Sequence, residues 1–596
     1  MKNFLSSFRS KMLHHNIDCA IITNKKEDVF SSPKSNIFPN VVSHTINFQS
    51  SNYIFLLTHK HLTIMVDGRY TSYAERDFKL QQPIHLQESI TILNVTTRSF
   101  LETLNSLLSN EKAKVWYDDN NTTISELFLY QKFSKFDFIA IPDDILCAFE
   151  HKNQFKQNII FLDKKTNARI EQIRDKKNAK LISSIESVSW LLGIRDIENG
   201  YSIAFNGMLL IMPSIYNQKD ILFQNEYANS VSNISYDVVH ISELQKNVVN
   251  LANNNIKIEI EHWSFPANLY NKLIATTFEY AHSETFINSI DLSKKLRAIK
   301  TPEELENMKV AHKNDAIAFD KFFEFINNFK GTNSTIEEDF SDALHRYKAE
   351  QQNYIKESFS TISALNENAA LPHYNYKFSL QKPSLHTYCN NSYNLYLIDA
   401  GSQYTHGTTD VTRTILLRSA HGKFSKNDLI EIKKHFTVVL KSHIMLASAI
   451  FPEWTTGAQL DSLARYNIWQ QHLDYQHSTG HGVGFALNVH EGPYYISQNC
   501  NEAIVENVVL SIEPALYFTQ KYGIRIENLY YVKRCSSLSP IERSMLKEQL
   551  HSSYMCFIPL TIIPFDSNLI EYSMLHKDEI AWLERYNRFI NLMKIT

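Results

Sequence analysis

Two aspartates, Asp399 and Asp410, sit eleven residues apart in the stretch LYLIDAGSQYTHGTTDVTRT, and they restrict the possible folds more than any other feature of this chain. Leu395, Leu397 and Ile398 form the apolar run of a buried strand leading to Asp399; Gly401, Ser402 and Gly407 mark a turn, and a second strand is expected to carry Asp410, Val411 and Thr412. If these strands pair as a hairpin, both carboxylates reach one point. Two carboxylates left together in a partly buried site repel each other unless a cation lies between them, so the pattern points to a metal.

Three later stretches supply what an oxygen-rich metal site still lacks. They are HSTGHGVG from His477, followed by NVHEG with His490; LSIEP with Glu513; and GIRIEN with Arg525 and Glu527. Each sets an ionisable residue among small or apolar neighbours, where an unpaired charge is costly, which makes Asp399, Asp410, His481, Glu513 and Glu527 a candidate ligand set. Four carboxylates and one imidazole suit two divalent ions such as Mn²⁺, with Zn²⁺ or Co²⁺ as alternatives, better than a thiolate-seeking metal.

In order and spacing these segments resemble the aminopeptidase P family of metal-dependent Xaa-Pro aminopeptidases, in its long three-domain form. The resemblance implies an α/β chain: creatinase-like α/β domains at residues 1–158 and 159–295, then an α+β pita-bread catalytic domain at 296–596 with a C-terminal extension. It implies hydrolysis of Xaa-Pro bonds at peptide amino termini by a hydroxide held between the two ions. Asp399 would grip one ion, His481 and Glu513 the other, and Asp410 and Glu527 would bridge both. Glu513 would shuttle the proton to the leaving nitrogen, His477 and His490 would meet the substrate and the developing oxyanion, and His373 would stand on the substrate side. Arg525, two residues before Glu527, would orient a ligand carboxylate. The chain departs from the family pattern at Ala364, His406, Ser478 and Ala515; the alanines raise the question of left-handed backbone that glycine would adopt more easily. Rival readings are a metal-free binding module, a dipeptide-specific prolidase and a metal-independent creatinase. The complete ligand set argues against the first and third, and two full amino-terminal domains against the second.

Composition narrows the partners. A formal net charge of -3 with 21% charged residues gives no bias toward nucleic acid or an anionic membrane. No apolar run reaches the length of a membrane span. Six cysteines at 19, 147, 389, 500, 535 and 556 show no metal-ligand spacing and read as reduced thiols, in keeping with a cytoplasmic setting. With only 14 glycines, asparagine is expected at several left-handed positions.

Along the chain, the basic start with Phe4, Leu5, Phe8, Met12 and Leu13 on one face predicts a first helix feeding a strand from Cys19 to Thr23 rather than a transit peptide. YIFLLT and LTIMV flank His59-Lys60-His61 as a hairpin, and these histidines, with His14 and His15, read as solvated. Leu181 to Leu192 reads as an apolar helix. Thr301-Pro302-Glu303-Glu304 is a capping box opening a long helix. The aromatic C-terminal segment would bury against the catalytic domain or a second subunit, and with the resemblance it motivates a homodimer.

Overall fold

The structure is a computed structural model and describes residues 2–24, 53–79, 82, 89–95, 97–108, 110–147, 157–163, 165–225, 236–280, 285–329, 336–377, 392–419, 423–546 and 554–595. The chain divides into two compact units, Met1–Asn199 with Ala204–Ser293, and Gly200–Ile203 with Lys294–Thr596.

The first unit contains two six-stranded sheets. One runs in the order Ile90–Asn94, Leu62–Val66, Tyr53–Thr58, Cys19–Thr23, Lys114–Tyr117, Asp137–Ala140. The other runs Tyr236–His240, Asp220–Gln224, Gly207–Ile211, Ala179–Ile182, Ile258–Ile260, Phe286–Asn288. From edge to edge both have the same succession of senses: parallel, antiparallel, antiparallel, parallel, parallel. The architecture therefore repeats even though no residue-level repeat is visible.

Local readings fare unevenly here. The helix Lys2–His14 feeds the strand Cys19–Thr23 and buries Phe4, Leu5, Phe8 and Met12, but Leu13 points to solvent. The hairpin pairs Leu57 with Leu62 and leaves His59 and His61 exposed. The stretch from Leu181 is not one helix. Ala179–Ile182 is a strand, Ser184 then caps Ile185–Leu192 by accepting from Ser187 N–H, and Gly193 at φ 66° ends the helix. Five of the nine non-glycine residues with positive φ among those described are asparagines.

The second unit opens with the helix Pro302–Asn328, capped by Thr301 and Glu304, followed by Ile336–Ala349. A three-stranded sheet orders Ile362–Leu365, Ser392–Asp399 and Thr412–Ser419, with Asp399 opposite Thr412. A six-stranded antiparallel sheet orders Ile450–Pro452, Tyr554–Pro559, Asn528–Arg534, Val509–Ile512, Gly480–Gly482 and Glu491–Ile496. The backbone N–H of Glu527 donates to Thr412 O at 3.2 Å and joins the two sheets beneath the aspartates.

Trp582, Tyr586 and Phe589 of the helix Lys577–Ile595 are buried in this unit's own core, Trp582 stacked on Tyr586 and Tyr586 on Phe565. These aromatics are thus committed to the unit's interior and do not form a surface for a second subunit. Among the described residues no helix is long and apolar enough to cross a membrane. Cys19, Cys500, Cys535 and Cys556 are free and buried; Cys389 and the side chain of Cys147 lie outside the described residues.

Candidate metal centre

Five strand termini and strand edges deliver the predicted acidic residues and His481 to one place. Asp399 ends its strand, whereas Asp410 lies two residues before its partner strand begins at Thr412 and not within it, because the chain between them detours through the short strands Ser402–Tyr404 and Gly407–Thr408. His481 is the middle residue of Gly480–Gly482, which presses so closely on its neighbour that a Cβ at Gly480 would stand 1.9 Å from Ser511 O. Glu513 follows Val509–Ile512 directly, and its N–H donates to Thr479 O at 2.8 Å. Glu527 sits between Tyr522–Arg525 and Asn528–Arg534.

His481 Nε2 lies 3.4 Å from Asp410 Oδ2, 3.6 Å from Glu513 Oε1 and 3.9 Å from Glu527 Oε1. Its Nδ1 faces Gly482 O at 3.0 Å, which assigns the hydrogen to Nδ1 and turns the Nε2 lone pair toward the acids, the tautomer a metal ligand needs. Asp410, His481 and Glu527 bring one ligand atom each to within 4.8 Å of one another. Asp399 joins them through Arg525, whose Nη2 donates to Asp399 Oδ2 at 2.6 Å. Arg525 Nε donates to Thr412 Oγ1 at 3.1 Å, and Thr412 Oγ1 in turn donates to Glu527 Oε2 at 2.8 Å.

The acids of the cluster are crowded together away from water. Burial pushes Asp399 up to about 6 despite Arg525, and Glu513 up to about 7 despite His481. Burial also lifts Glu527 well above its ordinary range, with Asp410, Glu513 and Asp399 adding to the effect. Burial would pull His481 down, but Asp410 and Glu513 outweigh it and raise the imidazole. Asp399 Oδ1 and Asp410 Oδ1 are buried and accept no hydrogen bond. Carboxylate oxygens of Asp410, Glu513 and Glu527 converging with a lone pair on one point, beside two buried carboxylate oxygens without donors, are what a divalent ion satisfies, so the donor set fits the predicted metal.

Around the ligands, His490 is exposed and its ring meets that of His481 edge-on at 4.2 Å. His477 is mostly buried, with Nδ1 2.8 Å from Ser478 O, Nε2 3.0 Å from Tyr517 OH and Glu513 Oε2 3.9 Å away. His373 is half-buried beside Pro372, whose carbonyl accepts from Arg525 Nη1 at 3.4 Å. Neither Ala364 nor Ala515 has positive φ; both lie in strands, so the question of left-handed strain does not arise there.

Several supporting residues escaped the sequence reading. Tyr517 OH receives Arg525 Nη1 at 2.8 Å and bridges it to His477. Glu491, next to His490, is fully buried and binds both Arg297 and Lys300. Arg413, also fully buried, donates to Thr412 O, Glu527 O, Asn528 Oδ1, Ile563 O and Pro564 O while lying over the Phe565 ring. Arg413 stands in the quoted GTTDVTRT motif, and a buried-strand pattern around an arginine was the available signal.

The layered sheets and the buried acid-rich cluster define a metallopeptidase of the pita-bread class. The model of metallopeptidase family M24 matches residues 306–534, and that of the C-terminal region of peptidase M24 matches 553–592. The Xaa-Pro aminopeptidase app-1 of Caenorhabditis elegans is 28% identical over 571 residues, covering 91% of this chain and 86% of the relative. The probable Xaa-Pro aminopeptidase P of Verticillium alfalfae is 31% identical over 486 residues, covering 76% and 74%. Among solved structures, the X-prolyl aminopeptidase of Caenorhabditis elegans, a cytosolic enzyme with a di-nuclear active site, has a similar fold, with a TM-score of 0.80 at 23% identity over 97% of this chain and 92% of that one. The chain belongs to the Xaa-Pro aminopeptidases of metallopeptidase family M24.

Proposed function

We propose that this chain removes the amino-terminal residue from peptides whose second residue is proline, using two divalent ions held by Asp399, Asp410, His481, Glu513 and Glu527. The convergence of Asp410, Glu513 and Glu527 oxygens on His481 Nε2, in a chain of this family, carries the reading. Those residues would hold Mn²⁺, by the oxygen-rich donor set, with Zn²⁺ or Co²⁺ as alternatives, and bound ions would supply Lewis acidity there and make a water more acidic.

The remaining work falls to side chains. Arg525 holds Asp399 in place and Thr412 holds Glu527, so two ligands cannot swing as charge develops. Of the five ligands Glu513 has the most exposed side chain, at 17%, which suits it to carry a proton to the leaving nitrogen. His490, exposed beside His481, meets the substrate as a positioned donor, and His477 is braced by Tyr517 close to Glu513. His373 contacts the substrate from the loop that Arg525 ties down.

The Xaa-Pro bond is a tertiary amide whose nitrogen has no hydrogen, so the site recognises the pyrrolidine ring by shape and the free α-amine by its charge. A mass-spectrometric time course on Xaa-Pro-Xaa, Xaa-Ala-Xaa and acetyl-Xaa-Pro-Xaa peptides tests this. Only the first should lose its amino-terminal residue; equal cleavage of the alanine or acetylated peptide refutes the assignment.

The division into domains at 1–158, 159–295 and 296–596 is part of the same proposal, supported by the repeated sheet topology of the first unit. So are a cytoplasmic setting, supported by four buried free thiols, and a homodimer, supported by the exposed Trp454, Tyr466 and Trp469 of the second unit.

A further inference from the structure

Glu337 is the second residue of the helix Ile336–Ala349, buried at 4% exposure, and it makes no ion pair among the described residues. Its contacts all go to one segment. Oε1 accepts from Leu365 N–H at 2.7 Å and from Asn368 Nδ2 at 3.1 Å, and Oε2 accepts from Tyr374 OH at 2.7 Å. Asn368 Nδ2 also donates to Tyr374 OH at 2.9 Å, closing a triangle, and the Glu337 carbonyl accepts from Ser363 Oγ at 2.5 Å. Burial pushes the carboxyl up to about 7 even with these donors pulling it down. A carboxylate buried without a cation is a costly filler where an apolar side chain would pack, so its presence answers a demand made by the donors of residues 363–374.

That segment leads to the metal centre. Its opposite side lies against Gly523, where a Cβ would stand 1.7 Å from Ala369 O, so only glycine admits the approach. Two residues beyond Gly523 is Arg525, which donates to Pro372 O and to Asp399 Oδ2. His373 is thus fixed between two anchors: Pro372 O on the arginine that holds a candidate ligand, and Tyr374 OH on Glu337.

We propose that Glu337 is a positioning residue for substrate binding, setting through Tyr374 and Asn368 the loop that presents His373 to the substrate. The proposal rests on the functional reading above. Because His373 grips the peptide rather than the reacting atoms, misplacing it removes binding common to ground and transition states, which raises KM and spares kcat.

The test uses the full chain loaded with manganese. Glu337→Gln keeps the shape but sets an amide N–H₂ against donors; Tyr374→Phe removes only the hydroxyl and serves if the first variant folds poorly. Each should raise KM for an Xaa-Pro-Xaa peptide about tenfold, with kcat within about threefold and metal content unchanged. In a His373→Ala background Glu337→Gln should add nothing further to KM. Unchanged KM in both variants, a fall in kcat together with metal loss, or additivity with His373→Ala overturns the proposal. Hydrogen–deuterium exchange over 365–374, faster in both variants, reads the same positioning without turnover, and unchanged exchange also overturns it. An unaltered chain that does not cut proline peptides overturns the functional reading alone, and exchange then decides the role of Glu337.

Discussion

Replacing Glu491 by Gln should destabilise the second unit severely. The Glu491 carboxylate lies 2.6 Å from Lys300 Nζ and 3.1 Å from Arg297 Nη1, with the three side chains 1%, 1% and 2% exposed. Removing the shared anion takes the Glu491 charge away from two buried cations, and breaking a single buried pair in this way costs about 3–5 kcal/mol. Taking about 4 kcal/mol, and an unfolding entropy of about 2.1 cal/mol/K per residue over roughly 300 residues, the midpoint should fall by about 6 °C. Differential scanning calorimetry at pH 7 measures the shift. Adding Lys300→Met to the variant should recover part of it, because one stranded charge is removed. A Glu491→Gln midpoint within about 1 °C of the unaltered chain would show that the triad does not carry the charge balance argued here.

The other predictions concern the centre and its surroundings. Asp410→Ala should abolish peptidase activity and release metal, read by elemental analysis, since its carboxylate would touch both ions; full activity in a metal-free preparation would refute the ligand set. His490→Ala should lower kcat far more than metal content, and loss of both in step would make His490 a ligand or a structural prop. His443 is fully buried, with Nε2 2.8 Å from Tyr530 OH, and burial pushes its imidazole from 6.5 down to about 3. The folded state therefore holds it neutral while the unfolded chain takes a proton below 6.5, so this stability is complete above 6.5 and is lost as pH falls toward 3. Unfolding free energies of His443→Phe from denaturant titrations should show a pH slope between 6.5 and 4.5 flatter by about 1 kcal/mol per pH unit, and an identical slope would refute the burial argument.

What the sequence disclosed follows the range of the interactions involved. Thr301 with Glu304, or the apolar face of Lys2–His14, express themselves within one helical turn and are readable directly. The candidate cluster is readable because each of its residues is ionisable and stands in or beside a short run of small or apolar neighbours, a conflict that local sequence displays. The sequence pattern puts Asp410 inside a strand because the detour through Ser402–Tyr404 and Gly407–Thr408 leaves only a faint turn signal. Leu181 and Ile182 read as the start of the helix after them because a short apolar run fits either period, and only the Ser184 cap separates the two elements. Glu337 and Glu491 stayed hidden because their partners lie 28 to 37 and 191 to 194 positions away in sequence. The doubled sheet of the first unit is implied by the family resemblance but by no residue-level repeat, because strand order and sense are kept by topology, which many sequences satisfy.

The Arg413 guanidinium has a consequence for how the chain tolerates trimming. Its five acceptors come from the strand start beside Asp410, from the Glu527 turn and from residues 563 and 564, more than 30 positions before the last described residue. The C-terminal segment is therefore tied through Arg413 to the backbone beside Asp410 and Glu527. A cut after residue 546, which looks like removal of an appendage, would take two of the acceptors of a buried cation beside Asp410 and Glu527, and is expected to cost metal affinity.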